Sequence, residues 1–461
     1  MSLSEKCGEL DEHLRKLTNG SEREEFDLNV FRRYFTQFVS VPPTINWSKM
    51  KKFDAERLLE EYEHLPKFSD EEARKILSHV VVIKLNGGLG TTMGCAGPKS
   101  LIPIRDGKTF LDFAIEQNEL LNKRYRSDVP LYLMDSYRTE QTTAKWLKER
   151  GYDNKVFQFV QSKCPRIFES TLMPVPNGPE NRLDDGWYPP GHGNIFASLD
   201  ACGLLDKLIE EGKNVIFVSN VDNTAAAVDV RIASVICRED VDYVMEITEK
   251  TQQDIKGGTL IEYEGAVKHL ELPHVPEDKV DEFCSLKTFK TFNTNNIWVD
   301  LKAVKRKSNT MKLEVLPNKK KLKTGESVIQ LESAIGGAIR NFERVRVVSV
   351  PRSRFLPVKK TQDMLVVMGN SLIVDETNGV LRLNPKRQIP RAPIVQLSTH
   401  YEAVAEFLDR FPHIPDMIDL ESLVVSGDVK FGKDVKLRGR VHISGSGTIP
   451  DGATIDGNYE L

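Results

Sequence analysis

HVVVIKLNGGLGTTMGCAGPKS (residues 79–100) begins as an apolar strand and ends just past a lysine. Val80 to Ile83 predict a short, fully buried strand of the kind found in parallel sheets. Gly87, Gly88, Gly90, Gly94 and Gly97 then let the main chain turn sharply and approach a ligand with no Cβ in the way. Consecutive N–H groups in such a loop form a concave anion site, and Lys99 adds a full positive charge. Spacing excludes two common phosphate loops. A Walker loop needs G-x-x-x-x-G-K-[ST], and Pro98 separates Gly97 from Lys99. A dinucleotide fingerprint starting at Gly88 needs glycine at position 93, where the chain has Met93. The pattern L-x-G-G-x-G-T-x-x-G followed by G-P-K-S is longer than either.

Outward from this loop, apolar runs capped by polar residues recur at 129–136, 154–162, 213–223 and 241–248. Helical patterns lie between several of them, Thr109 to Leu121 and Ile195 to Glu211 among them. This alternation predicts an α/β domain on a central mixed, mostly parallel sheet flanked by helices. Ligands in such folds bind beyond the carboxyl ends of strands, where both the glycine loop and the Asn220–Asp222 tip fall. Residues 1–78 are charged and read as an N-terminal helical segment, with helices over Ser4–Lys16 and Asp54–His64. They serve either as packing or as a regulatory arm. Residues 79–383 form the expected catalytic domain.

Residues 384–461 differ in kind. Val425, Phe431, Leu437, Ile443, Ile449 and Ile455 place an apolar side chain at every sixth position. Val429, Val435 and Val441 hold a second register two residues earlier. A six-residue period predicts a β-helix with three short faces per turn. Its exposed ends favour self-association, so a homo-oligomer through this region is expected.

The 461 residues carry 64 basic against 67 acidic side chains, a formal charge of −3, so nucleic acid and anionic membranes are not expected partners. Six cysteines show no zinc spacing and no C-x-x-C pair, which suits a reduced compartment. Without an apolar leader or an eighteen-residue apolar run, the expected localisation is cytoplasmic.

Several residues suit ligand chemistry, each with a plainer alternative. His192 lies between Gly191 and Gly193 after Pro189-Pro190, a rigid turn in which a histidine is either structural or set against a ligand. Asp222 follows the apolar run VIFVS, where a carboxylate caps a helix or shares a magnesium ion with phosphates. FNTNN (292–296) supplies amides for turns or for sugar hydroxyls. Lys359 stands in RSRFLPVKK, whose Phe355, Leu356 and Val358 suggest a partly packed stem. The more basic NKKKLK run (318–323) reads as a solvated face or mobile loop.

Seven stretches in one order resemble a single family: LNGGLGTTMGCAGPKS (85–100), FVQSKCPRI (159–167), WYPPGHGNIFAS (187–198), FVSNVDN (217–223), FKTFNTNNIWV (289–299), ESVIQLESAIGGAI (326–339) and VPRSRFLPVKKTQDM (350–364). They are similar to the eukaryotic-type UDP-glucose pyrophosphorylases (UTP–glucose-1-phosphate uridylyltransferases), with Thr92 where bacterial-type enzymes usually carry a loop arginine. The resemblance implies a Rossmann-like nucleotidyltransferase fold with a C-terminal left-handed β-helix. It further implies the magnesium-dependent, reversible reaction of UTP with glucose 1-phosphate to give UDP-glucose and diphosphate, in support of glycogen and glycan synthesis.

The resemblance assigns roles as follows. Lys99 and Lys359 are catalytic and touch the nucleotide, together with Leu85, Asn86, Gly87, Gly88, Gln161, Gly191 and Asp222. Gly87, Gly88, His192, Asn220, Glu271 and Asn295 hold the sugar phosphate, and Asp222 binds Mg²⁺. The stretch LELPHVP departs from the family wording after Glu271, and so does NTAAAV after Asp222. Rival readings are a UDP-N-acetylhexosamine or broad UDP-sugar pyrophosphorylase, or a catalytically silent UDP-sugar sensor.

Overall fold

The computed structural model describes residues 3–41, 44–178, 185–308 and 310–461. Two compact units emerge: Met1–Gly87, Ser127–Ser219 and Val228–Arg352 form the first, and Gly88–Arg126, Asn220–Ala227 and Ser353–Leu461 the second.

The first unit is built on an eight-stranded sheet. Its strands run in the order Leu59–Glu61, Val345–Ser349, Tyr243–Glu249, Thr291–Asp300, Val215–Asn220, Val80–Asn86, Leu131–Asp135 and Val156–Val160. The sheet is mixed, as its sequence pattern predicts. Val80–Asn86 pairs parallel with Leu131–Asp135, which pairs parallel with Val156–Val160. Thr291–Asp300 runs antiparallel to both its neighbours. All seven residues of Val80–Asn86 are buried, which explains the apolar run Val80–Ile83, and the buried Lys84 donates to Ser219 Oγ at 2.9 Å. Trp298 stacks on Phe217 across the Thr291–Asp300 and Val215–Asn220 pair, ring centroids 4.3 Å apart.

Two local predictions are corrected. The Asp54–His64 pattern yields only a four-residue helix, Ala55–Leu58, followed by the edge strand Leu59–Glu61. Parallel pairing of Leu59 with Val347 outweighs the local helical preference, and Arg238 grips the Glu60 carboxylate at 2.6 and 2.9 Å. The single helix expected over Ile195–Glu211 is two, Ile195–Ala201 and Leu204–Glu210, broken where Gly203 takes φ +74°.

Helices α1 (Leu3–Arg15) and α2 (Glu22–Ser40) do more than fill space. Leu28, Phe31 and Phe35 of α2 share a core with Cys164, Trp187, Tyr188 and Leu331. Ser21 caps α2 by accepting from the Glu24 N–H, and acidic residues crowd its first turn, as its dipole favours.

In the second unit, the helix Phe110–Tyr125 starts at a capping box made by Thr109 and Asp112. Its Phe110 and Phe113 join Met364, Leu365, Tyr401 and the hexad residues in one core. All six hexad residues are buried at 3% exposure or less. Val425 pairs with Ile443, Val429 with Gly447 and Leu437 with Ile455, always in parallel and always three hexads along. Each fully buried aliphatic side chain of this size contributes about 1.5–3 kcal/mol. The NKKKLK run lies on the first unit as the exposed end of the strand Val315–Lys321, with Lys319 paired to Glu169. The five cysteines with described side chains are free. Among the described residues, no helix is long and apolar enough to cross a membrane.

Candidate functional site

In the second unit the glycine loop closes on itself. Leu89 bridges Pro98, the Gly90 N–H donates to Gly97 O at 3.2 Å, and the Lys99 N–H donates to Gly88 O at 3.1 Å. Lys99 is thereby returned to the start of the loop, a closure that residue spacing alone did not reveal. Its ammonium donates to Asp222 Oδ2 in a largely buried ion pair. The other oxygen, Asp222 Oδ1, is buried without a hydrogen-bond partner.

Asn223 builds the frame around this pair. Its Oδ1 accepts from the Leu356 N–H at 2.9 Å, its Nδ2 donates to Arg354 O at 3.4 Å, and its backbone bridges Pro357. The Val358 N–H reaches Asp222 O at 3.3 Å. Val358 is fully buried, whereas Lys359 and Lys360 after it both face outward. The Lys359 side chain is exposed, a correction to the packed stem expected from its apolar neighbours. The backbone N–H groups of Lys359 and Lys360 both donate to Asp363 Oδ2, at 2.8 and 2.9 Å. Burial pushes the Asp363 carboxyl up, while those two N–H groups and the charges of Lys359 and Lys99 pull it down. Lys99, Asp222 and Lys359 thus share one neighbourhood, and Asn220 begins the turn that carries Asp222 by accepting from the Asn223 N–H at 3.2 Å.

The first unit holds the other assigned residues. Leu85 and Asn86 end the central strand. The Asn86 side-chain nitrogen is committed inward, donating to Asp135 at 2.6 Å and to Thr143 at 3.1 Å, while its Oδ1 is buried without a partner. Burial pushes the Asp135 carboxyl up to about 7, against hydrogen bonds from Gln158, Asn86 and Thr139. Gly87 lets the Gln161 amide come close: a Cβ there would lie 2.2 Å from Gln161 Nε2 and push it aside. Gln161 Oε1 is buried without a partner.

The Gly191–His192 turn packs directly on Ser333. A Cβ on Gly191, at φ +88°, would meet Ser333 O at 2.5 Å, and the Ser333 N–H donates to Pro190 O at 2.9 Å. The Ile335 N–H donates to His192 Nδ1 at 3.1 Å, which leaves the hydrogen of a neutral ring on Nε2. Burial pushes the imidazole down to about 4; nearby Glu271 raises it and His269 lowers it further. At neutral pH His192 is therefore an uncharged donor. Glu271 precedes the short turn Leu272–His274 without capping it through its side chain, and is close enough to act on His192 electrostatically. Asn295 takes φ +62°, and its N–H donates to Asn293 Oδ1 at 2.8 Å.

Three supporting residues escaped the sequence reading. Tyr34 of α2 shares a 2.5 Å hydrogen bond with Ser333 Oγ, directly beneath the His192 turn. Arg23, also on α2, donates to Val160 O and Gln161 O at 3.1 and 2.7 Å. The N-terminal segment therefore braces both the glutamine and the histidine turn. Its only sequence-level signal was an aromatic stripe that fits any packed helix. The Thr92 side chain lies outside the described residues.

For a metal, the orphaned Asp222 Oδ1 is the observation that fits: a hard cation takes oxygen ligands, and magnesium pairs one carboxylate with phosphate oxygens and water. Among the described residues no three His, Cys, Asp or Glu side chains gather to hold a metal by themselves.

Comparison with known proteins gives one consistent answer. The family model described as UTP–glucose-1-phosphate uridylyltransferase matches residues 28–438. UTP–glucose-1-phosphate uridylyltransferase of Solanum tuberosum is 44% identical over 463 residues, covering 98% of this chain and 95% of its own. The Saccharomyces cerevisiae protein of the same name is 42% identical, covering 94% of this chain and 88% of its own. Among solved structures, a mutant of UDP-glucose pyrophosphorylase from Leishmania major, in complex with UDP-glucose, superimposes with a TM-score of 0.85 at 30% identity, covering 100% of each chain.

Proposed function

This chain belongs to the UTP–glucose-1-phosphate uridylyltransferase family, and from that premise we propose that it converts UTP and α-D-glucose 1-phosphate reversibly into UDP-glucose and diphosphate. The observation that carries the proposal is the Lys99–Asp222 pair, formed at the closed neck of the glycine loop with one Asp222 oxygen left unpartnered.

The sugar phosphate brings its own oxyanion, so the chemistry asks for no protein nucleophile or general base. Its oxygen attacks the α-phosphorus of UTP in line, forming one P–O bond as the bond to the departing diphosphate breaks. Catalysis then consists of positioning and charge neutralisation. Lys99 turns from Asp222 to the β,γ-phosphates that leave. Lys359, long and exposed, stabilises charge gathering at the α-phosphorus. Asp222 would hold Mg²⁺, which would supply charge neutralisation between the two anionic substrates. The backbone of Leu85–Gly88 and the Gln161 amide read uracil, whose N3–H suits the unpartnered Gln161 Oε1. Gly191 packs against the nucleotide. His192 offers its Nε2–H to the sugar phosphate, and Asn220, Glu271 and Asn295 face the glucose hydroxyls.

The wider proposal keeps three segments with separate work: residues 1–78 brace, 79–383 carry the chemistry and 384–461 assemble. Parallel pairing three hexads apart supports closure of the last segment into a left-handed β-helix, through which copies associate. A cytoplasmic enzyme feeding glycogen and glycan synthesis completes the reading.

Diphosphate release with UTP and Mg²⁺ tests it, comparing glucose 1-phosphate with N-acetylglucosamine 1-phosphate and galactose 1-phosphate. Release with glucose 1-phosphate alone is the expected result. Release with all three indicates a broad UDP-sugar enzyme, and saturable UDP-glucose binding without release indicates a sensor.

A further inference from the structure

His269 ends up buried at 3% exposure near the close of the strand Ala266–Leu270, and neither of its ring nitrogens has a hydrogen-bond partner. Buried polar groups are ordinarily paired, so a doubly orphaned imidazole asks for a reason. Two glycines box it in. A Cβ on Gly258 would lie 2.4 Å from Nε2, and one on Gly336 would lie 2.7 Å from Nδ1. Both ring nitrogens thus face the bare main chain of a glycine. Within reach is Glu271 Oε1, 3.5 Å from Nδ1, just beyond a hydrogen bond and closed by a small turn of the carboxylate. The two side chains differ in access: His269 is 2% exposed and Glu271 28%. One carboxylate oxygen faces the ring while the carboxylate as a whole stays reachable. The same glycines press on the asparagine strand, since a Gly336 Cβ would also lie 2.7 Å from Asn293 Nδ2 and the Asn293 N–H donates to Gly258 O at 2.9 Å.

We propose that His269 is a positioning residue for Glu271. Its Nδ1–H holds one carboxylate oxygen, and the other is thereby fixed as an acceptor for a hydroxyl of the hexose 1-phosphate. The accepted hydroxyl configuration is then set by a histidine that never touches the sugar. This assignment rests on the uridylyltransferase reading.

The test is steady-state kinetics of His269→Leu, His269→Gln and Glu271→Gln, singly and with His269→Leu combined with Glu271→Gln. Loss of the donor is expected to raise KM for glucose 1-phosphate about tenfold, the scale of one lost hydrogen bond to a charged group. The kcat and the KM for UTP should move less than about twofold. His269→Gln, which keeps an N–H donor, should recover most of the loss. The double variant should be no worse than Glu271→Gln alone, because the histidine acts through the glutamate. Unchanged KM in His269→Leu, equal loss for both substrates, or additive losses in the double variant would overturn the assignment. Thermal melts separate these outcomes from misfolding, with His269→Gln as the gentler probe. Wild-type turnover separates the two failures: if the wild type consumes no glucose 1-phosphate, the reading falls and the assignment with it.

Discussion

The cluster around Asp222 and the cluster around His192 solve different problems with different materials. The first uses formal charges: Lys99 against Asp222, with an exposed Lys359 on the segment that Asn223 pins. The second uses neutral groups and shape. His192 is held uncharged, and glycines at 191, 258 and 336 allow backbone and rings to meet at distances no side chain would permit. Charge attracts any phosphate and discriminates little, whereas a closely fitted set of donors and acceptors discriminates by what it leaves unpaired. Turnover should therefore depend mainly on the first cluster and sugar choice on the second.

The hardest blow to that contrast comes from Lys99→Ala. Turnover should fall on the order of 10²–10³-fold, by analogy with other preorganised charge contacts, while the melting temperature shifts by only a few degrees. An equal collapse of folding would make Lys99 a structural residue. Next in size is a pH effect that His192 brings to the second cluster. The folded His192 titrates at about 4 against 6.5 for the free side chain, so the unfolded chain binds the extra proton between those values. Against the opposite slope set by Asp135, whose folded carboxyl is raised to about 7, the His192 contribution to stability should consequently fall as pH drops from 6.5 to about 4 and level off below. His192→Gln should remove up to about 3 kcal/mol of that slope, read by urea titration at a series of pH values.

Asp222→Asn sharpens the comparison further. It should shift the Mg²⁺ half-saturation point at least about tenfold and leave KM for the sugar phosphate nearly untouched. An unaltered metal titration removes Asp222 from the metal site. Gly87→Ala is subtler. The added Cβ displaces the Gln161 amide, the flexible end of a side chain, so KM for UTP should rise about tenfold with little change in melting temperature. The smallest effect belongs to assembly, where light scattering on the intact protein should report a mass above 52.2 kDa. Removing residues 420–461 is no clean probe of this, because Leu420, Leu423 and the hexads share a core with Met364 and Phe407.

How far the sequence could be read depended on how far apart the cooperating residues lie. The central strand, the glycine loop and Lys99 form one unbroken stretch, and the hexads repeat without interruption; both are visible without a fold. The aspartate tip was readable because an apolar run led into it. Tyr34 and Ser333 are 299 residues apart, and no local pattern announces their meeting. His269 was hidden differently. Its hairpin partner Leu260 and the glycines around it are supplied by strand register, and a lone histidine in an alternating strand looks like any other. Lys359 was misjudged because apolar neighbours do not fix which way a residue outside any strand or helix points.

The hexad region has one consequence of its own. Because Val425, Phe431, Leu437 and their successors return to the interior only when the count of six is kept, this part of the chain has a reading frame. Deleting a single residue near Asp434 would turn Leu437, Val441 and Ile443 outward together, whereas adding or removing a whole turn would leave them all facing in. Elsewhere in the molecule an extra residue is absorbed by the nearest loop; here it is carried forward until the frame is restored.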